Sequence, residues 1–159
     1  MDNYILTNNI VFDAKPDAVP YNYRISYKIS QICMIIKKCC KPRSGCSLVK
    51  IHIISNALNA KEYQNALYDY VNDKMAFILV RFDPAVNRAL KYAISDNLII
   101  QLKNGSYKLT ILGKKYMDKV EKEDIMLDEK KFLNQLQFKL TDEKIEQLMG
   151  LWRCENAEN

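Results

Sequence analysis

The sequence predicts a mainly α-helical protein with one small β-hairpin, and three observations carry that prediction. Its 159 residues include only 4 Gly and 4 Pro, where average usage of roughly 12% for the two together gives about 19. So few breakers mean long regular elements. Apolar residues make up 48% of the chain, enough to bury one core, and they recur mostly at the three- and four-residue steps of a helix face. An Asn-Gly pair, Asn104-Gly105, stands between two short runs of strand-forming residues, the strongest local signal for a hairpin.

The elements follow in order. Residues 1–20 read as an irregular leader, with one apolar stretch, Ile10-Val11-Phe12, ahead of two prolines that block a helix start. From Tyr21 the positions Ile25, Ile29, Ile32, Cys33, Ile36 and Cys40 form a helical stripe, with Arg24, Lys28, Lys37 and Lys38 elsewhere on the wheel, and Pro42 ends the helix. Ser47 is placed to cap a second helix reaching about Leu58. Asn59 with Glu62 has the spacing of a capping box and opens a third helix through Val71. Phe77-Ile78-Leu79-Val80-Arg81-Phe82 is a short run rich in strand formers, closed by Asp83-Pro84, an N-cap acceptor followed by Pro at the first helical position.

The helix that begins there puts Val86, Ala89, Leu90, Ala93 and Ile94 on one stripe and Asn87, Arg88 and Lys91 near the opposite face. Leu98 to Leu102 and Tyr107 to Thr110 are then the hairpin strands, with a type I′ turn expected at Asn104-Gly105. Helical spacing resumes at Leu112-Gly113-Lys114-Lys115. Beyond Val120 the chain turns acidic and carries Ile125, Phe132, Leu133, Leu136 and Leu140, then a helix capped at Thr141.

Nothing in the sequence supports an enzyme. The P-loop, dinucleotide, nucleophile-elbow and zinc-protease patterns do not occur, and the acidic pairs Asp69/Asp73 and Asp128/Glu129 fall in ordinary helical surface patterns. His52 is the only histidine, in a helical run that favours packing over catalysis. Five cysteines at positions 33, 39, 40, 46 and 154 are an odd number, three of them in or beside an apolar helix, and are expected as free thiols. A zinc site from Cys39, Cys40, Cys46 and His52 is the sharper alternative, but it lacks a CxxC pair. No cofactor or metal is expected. The N-terminus has no secretory pattern and no segment reaches the roughly 18 apolar residues of a membrane span, so a cytoplasmic protein is expected.

Helix, helix, helix, short strand, helix and a hairpin running into another helix is the order of a winged-helix domain, a helix-turn-helix plus wing, with added N- and C-terminal helices. Three segments are expected: the leader 1–20, the winged-helix domain 21–120, and a helical extension 121–159 for partner or dimer contacts. Their net charges are −2, +11 and −4, so the total of +5 conceals a basic domain between acidic ends. With the helix after Asp83 as recognition helix, Asn87, Arg88 and Lys91 are candidates for a DNA groove. Lys103, Asn104 and Lys108 on the wing, with Lys114 and Lys115 behind it, are candidates for phosphates.

Ile10-Val11-Phe12-Asp13, Pro20-Tyr21-Asn22-Tyr23-Arg24, Lys28-Ile29-Ser30-Gln31-Ile32-Cys33, Leu79 through Ala89 and Leu148-Met149-Gly150-Leu151-Trp152 together resemble the small middle components of bacterial ABC-three-component systems. Those are short winged-helix proteins encoded between an effector and an ATPase of the Rad50 or SMC type, as in Lamassu-like antiviral defence operons. The resemblance implies a non-catalytic accessory subunit that binds the ATPase, helps hold double-stranded DNA without sequence preference, and links to a nuclease-type effector. Tyr21, Tyr23, Arg81, Phe132 and Trp152 are its candidate partner contacts, and Tyr63, Tyr68 and Tyr70 further exposed aromatics. The alternative is a homodimeric winged-helix transcription regulator that dimerises through 121–159.

Overall fold

The structure, a computed structural model, describes residues 24–157. Among them are seven helices, α1 (Ile25–Cys39), α2 (Leu48–Ala57), α3 (Lys61–Val71), α4 (Pro84–Ser95), α5 (Ile111–Lys122), α6 (Leu127–Leu136) and α7 (Asp142–Ala157), with strands β1 (Ile99–Gln101) and β2 (Tyr107–Leu109) between α4 and α5. The mainly helical class with one hairpin is therefore as the sequence predicts. The leader 1–20, Tyr21 and Tyr23 lie outside the described residues.

Helix α1 is the axis of the fold. Every side chain from Lys28 to Ile36 is buried, because α2, α4, α5, α6 and β2 all pack on it. Its solvent face is thus much narrower than the hydrophobic stripe suggested, and Lys28, expected outside, is 2% exposed. The stem of a lysine can pack among apolar groups, but its ammonium must then find partners.

Caps set most helix starts. Ser47 accepts the Lys50 N–H at 3.2 Å, Asp83 accepts the Ala85 N–H at 2.8 Å with Pro84 at N1, and Thr110 accepts the Gly113 N–H at 2.9 Å. Thr141 likewise accepts the Lys144 N–H. The capping box at Asn59 is not formed: Ala60 is the N-cap of α3, without a side-chain bond. The chain leaves α2 one residue later than the box requires, and the Asn59 N–H turns back to the Asn56 carbonyl.

The hairpin pairs Ile99 with Leu109, Ile100 with Lys108 and Gln101 with Tyr107, antiparallel. Its turn is not type I′. The Gly105 N–H donates to the Leu102 carbonyl at 2.9 Å and the Leu102 N–H to Ser106 O at 2.8 Å, while Gly105 (φ +81°) is in the left-handed region and Asn104 is not. That is the three-residue loop built on a type I turn, with the glycine at the bulge. Asn104 Oδ1 is consumed locally by the Ser106 N–H at 3.0 Å. Cys46 extends the sheet by one residue, exchanging both main-chain bonds with Tyr107 at 2.8 Å. Gly113 is required where α5 leaves the hairpin, since a Cβ there would stand 2.0 Å from the Leu98 carbonyl oxygen.

Three further expectations are corrected. Phe77–Phe82 forms no strand: among the described residues, the main chain of 75–82 makes no hydrogen bond, and the segment is an irregular strap anchored by half-buried Phe77, Ile78 and Val80. Strand propensity without an adjacent edge produces no strand. The cysteines are not all free thiols, because Cys40 and Cys46 are joined in a disulfide, with Cα atoms 5.4 Å apart. The turn at Lys41–Gly45, closed by the Gly45 N–H on the Lys41 carbonyl, folds the chain back to make that meeting. Lastly, Phe132, Leu133, Leu136, Leu140, Ile145 and Leu148 of the acidic C-terminal region all enter the one core that α1 organises. Phe132 is 4% exposed and is a core residue rather than a partner contact.

Candidate nucleic-acid interface

Helix α4 is held from below by a buried polar network that spans three elements. Lys28 Nζ on α1 lies 3.3 Å from Gln31 Oε1, 3.3 Å from Ser55 Oγ of α2, and 3.6 Å from Asp83 Oδ2. The second carboxylate oxygen of Asp83 caps α4. Ser55 also donates to Gln31 Oε1 at 2.7 Å. Burial pulls the Lys28 ammonium below the ordinary lysine range, and Asp83 opposes that pull.

His52, 1% exposed on α2, completes the network. Its Nδ1 lies 3.2 Å from the Asp83 main-chain N–H, and its Nε2 lies 3.2 Å from Asn87 Oδ1. An amide N–H can only donate, so Nδ1 is the unprotonated nitrogen and Nε2 carries the hydrogen given to Asn87. The ring also lies 4.9 Å from that of Phe82. Burial holds His52 below the ordinary imidazole value, with Asn87 and Asp83 opposing and Lys28 assisting.

On its outer side α4 exposes Asn87, Arg88, Lys91 and Tyr92, one helical face at i, i+3 and i+4 spacing. Tyr92, 55% exposed between the basic residues and the hairpin, belongs to this face and was not among the sequence candidates, although its spacing from Arg88 marks it. On the hairpin Lys103 and Asn104 are exposed and Lys108 is half-buried, and on α5 both Lys114 and Lys115 are exposed. Asn104 offers only its amide hydrogens, its oxygen being spent on the turn.

Besides Lys28, three lysines form ion pairs among the described residues. Lys37 binds Asp118 and Glu121, both at 2.8 Å, Lys38 meets Glu121 at 3.2 Å, and Lys144 meets Asp73. Among the described residues, Arg88, Lys91, Lys103, Lys108, Lys114 and Lys115 take part in no ion pair. The acidic side chains of α5 thus neutralise the end of α1, and the charge on the consecutive elements α4, hairpin and α5 is left uncompensated. Ile100, Ile111 and Leu112 are exposed among these charges.

The partner candidates separate as well. Arg81 stacks its guanidinium 5.8 Å from the centre of the Tyr63 ring, on the strap beside exposed Leu79 and Phe82. Trp152 is 40% exposed on α7. Tyr70 is buried and donates to the Lys144 carbonyl at 2.6 Å, and Tyr68 is half-buried under Lys139. Of the free cysteines, Cys154 is exposed, while burial pushes the Cys33 and Cys39 thiols up to about 12, where a thiol is inert at neutral pH.

No family model matches the chain, and neither a curated protein nor a solved structure matches it.

Proposed function

We propose that this chain is a non-catalytic winged-helix subunit that holds DNA through α4 and its hairpin, within an assembly built on an SMC-type ATPase and a nuclease-type effector. The observation that carries the DNA part is the run of basic side chains Arg88, Lys91, Lys103, Lys108, Lys114 and Lys115, which form no ion pair among the described residues and lie on the consecutive elements α4, hairpin and α5. The element order supports a winged-helix reading: α1, the one-residue bridge at Cys46, α2, α3, then α4 entering the hairpin directly. On this reading α4 is the recognition helix, β1 and β2 the wing, and α3 with the strap an insertion ahead of α4.

The assembly part rests on the resemblance and on the strap. Leu79 is 56% and Phe82 49% exposed, beside Arg81 and Tyr63, on main chain that has no hydrogen-bond partner among the described residues. Aromatic and arginine side chains over apolar surface are the composition of interface anchors. The regulator alternative needs 121–159 for dimerisation; Phe132, Leu133 and Leu136 of α6 with Ile145 and Leu148 of α7 are spent on the chain's own core, while Leu127, Phe138, Leu151 and Trp152 are exposed.

Co-expression with the neighbouring genes, purification through this chain, and mass measurement of the intact particle test the reading. The expected result is a large complex containing a coiled-coil ATPase. A stable dimer of this chain alone, with the neighbouring products left behind, would overturn it.

A further inference from the structure

Asn87 stands on the exposed face of α4, yet half of its amide is already used. Its Oδ1 points at the Nε2–H of buried His52, 3.2 Å away. The hydrogen's place on Nε2 follows from the Asp83 N–H, which occupies Nδ1. That fixes the amide the other way out, with the NH2 group toward solvent. Beside it, Arg88 and Lys91 are donors with no acceptor capacity. The first turns of α4 therefore offer hydrogen-bond donors, and their one side-chain carbonyl is directed inward.

The distinction decides what such a surface can recognise. Asparagine reads adenine with both halves of its amide, accepting from N6 and donating to N7, and readout of cytosine N4 requires an acceptor, whereas guanine O6 and N7 accept from donors such as arginine and lysine. Phosphate oxygens are acceptors only and are met by donors alone. We propose that His52 is a positioning residue that makes Asn87 a donor-only contact, so that Asn87 engages the phosphate backbone of DNA and does not read the N6/N7 edge of adenine. This inference rests on the reading of α4 as the DNA-facing helix, and it removes adenine readout by Asn87 as a source of sequence preference.

The neighbouring groups reinforce the arrangement. Asp83 is held by Lys28 through Oδ2 and by its capping role through Oδ1, so its N–H is fixed opposite Nδ1. Phe82 covers the ring from the strap. A rotated Asn87 amide would set its NH2 against the Nε2–H, donor against donor, and the ring has no second acceptor to offer.

Because His52 is the only histidine in the chain, its two ring nitrogens are assigned without ambiguity in a long-range 15N–1H spectrum of the full-length wild type. The expected spectrum shows a neutral ring with the hydrogen on Nε2; a hydrogen on Nδ1 would overturn the proposal. Fluorescence anisotropy then measures binding to two unrelated 30-base-pair duplexes at low salt. The ratio of the two affinities is expected to be the same within about twofold in the wild type and in Asn87→Ala, where loss of a base-reading contact at Asn87 would change it by about fivefold or more.

Asn87→Ala should weaken binding to both duplexes about 2–10-fold, the worth of one hydrogen bond. His52→Phe should weaken it within the same range, and the double variant should be no weaker than Asn87→Ala alone. An additive double variant, or an Asn87→Ala variant whose duplex ratio differs from that of the wild type by more than about fivefold, would overturn the proposal. Charge reversal at Arg88, Lys91 and Lys103 tells the two levels apart. If reversal abolishes binding while Asn87→Ala leaves it unchanged, the DNA face stands and the role of His52 falls. If reversal also changes nothing, the DNA-facing reading of α4 falls as well.

Discussion

Asp83 performs two jobs that can be separated by substitution. Its Oδ1 caps α4 at 2.8 Å from the Ala85 N–H, and its Oδ2 is 3.6 Å from the ammonium of Lys28, whose side chain is 2% exposed. Losing an N-cap costs about 1 kcal/mol. Removing the partner of a fully buried charge costs about 3–5 kcal/mol. Asp83 is itself 33% exposed, so water screens the pair, and about 1–2 kcal/mol is expected for this part. Asp83→Ala loses both contributions and should destabilise by about 2–3 kcal/mol, a fall in Tm of roughly 5–10 °C for a domain of this size. Asp83→Asn retains a capping oxygen and loses the charge, so it should cost about 1–2 kcal/mol.

Denaturant unfolding followed by circular dichroism reads both variants, and Lys28→Met closes the cycle. With the amine gone, Asp83→Asn should cost under about 0.5 kcal/mol, because only the pair made the charge useful. Equal losses for Asp83→Ala and Asp83→Asn would show that the cap contributes nothing. A cost for Asp83→Asn unchanged in the Lys28→Met background would refute the pairing.

Three further outcomes follow from the same geometry. Phe132→Ala should cost about 3–5 kcal/mol in denaturant unfolding, as a core truncation does; a near-neutral result would return Phe132 to the surface. Gly113→Ala places a methyl against the Leu98 carbonyl and should destabilise by about 2 kcal/mol or more through displacement of the hairpin from α5, whereas a substitution neutral in Tm would contradict that packing. Burial holds His52 below the ordinary imidazole value, so the unfolded chain takes up the proton first. Its contribution is complete above about pH 6.5 and is lost as the pH falls from there toward the folded value. A Tm series from about pH 7.5 to 5 should decline less steeply in His52→Gln than in the wild type, and identical slopes would remove His52 from the pH dependence.

Those features show which parts of the molecule are written locally. Ser47, Asp83-Pro84 and Thr141 are start signals that act within one turn, and each operates where the sequence places it. Asn104-Gly105 marks the hairpin for the same reason, although the turn takes the type I form with the bulge at Gly105. The strap, the depth of Lys28 and the Cys40–Cys46 bridge depend on what lies across the fold. No nearest-neighbour pattern encodes that Phe77–Phe82 has no edge to join, or that five elements close over α1.

The candidate site divides along the same line. Arg88 and Lys91 are legible as the polar side of an amphipathic helix. The tie between His52 and Asn87 joins residues 35 apart in sequence and emerges only when α2 and α4 pack. Phe132 looked like an anchor because an aromatic in an acidic tail has the composition of one; its place facing α1 follows from α6 folding back onto the core.

The central claim is that uncompensated charge on α4 and the hairpin meets the DNA backbone, and the salt dependence of binding tests it most directly. Affinity for a fixed duplex, measured across a range of salt concentrations for the wild type and for Arg88→Glu/Lys91→Glu/Lys103→Glu, should give a slope of log K against log salt shallower by about three units in the variant, with retention lost even at low salt. Unchanged slope and unchanged retention would contradict the account.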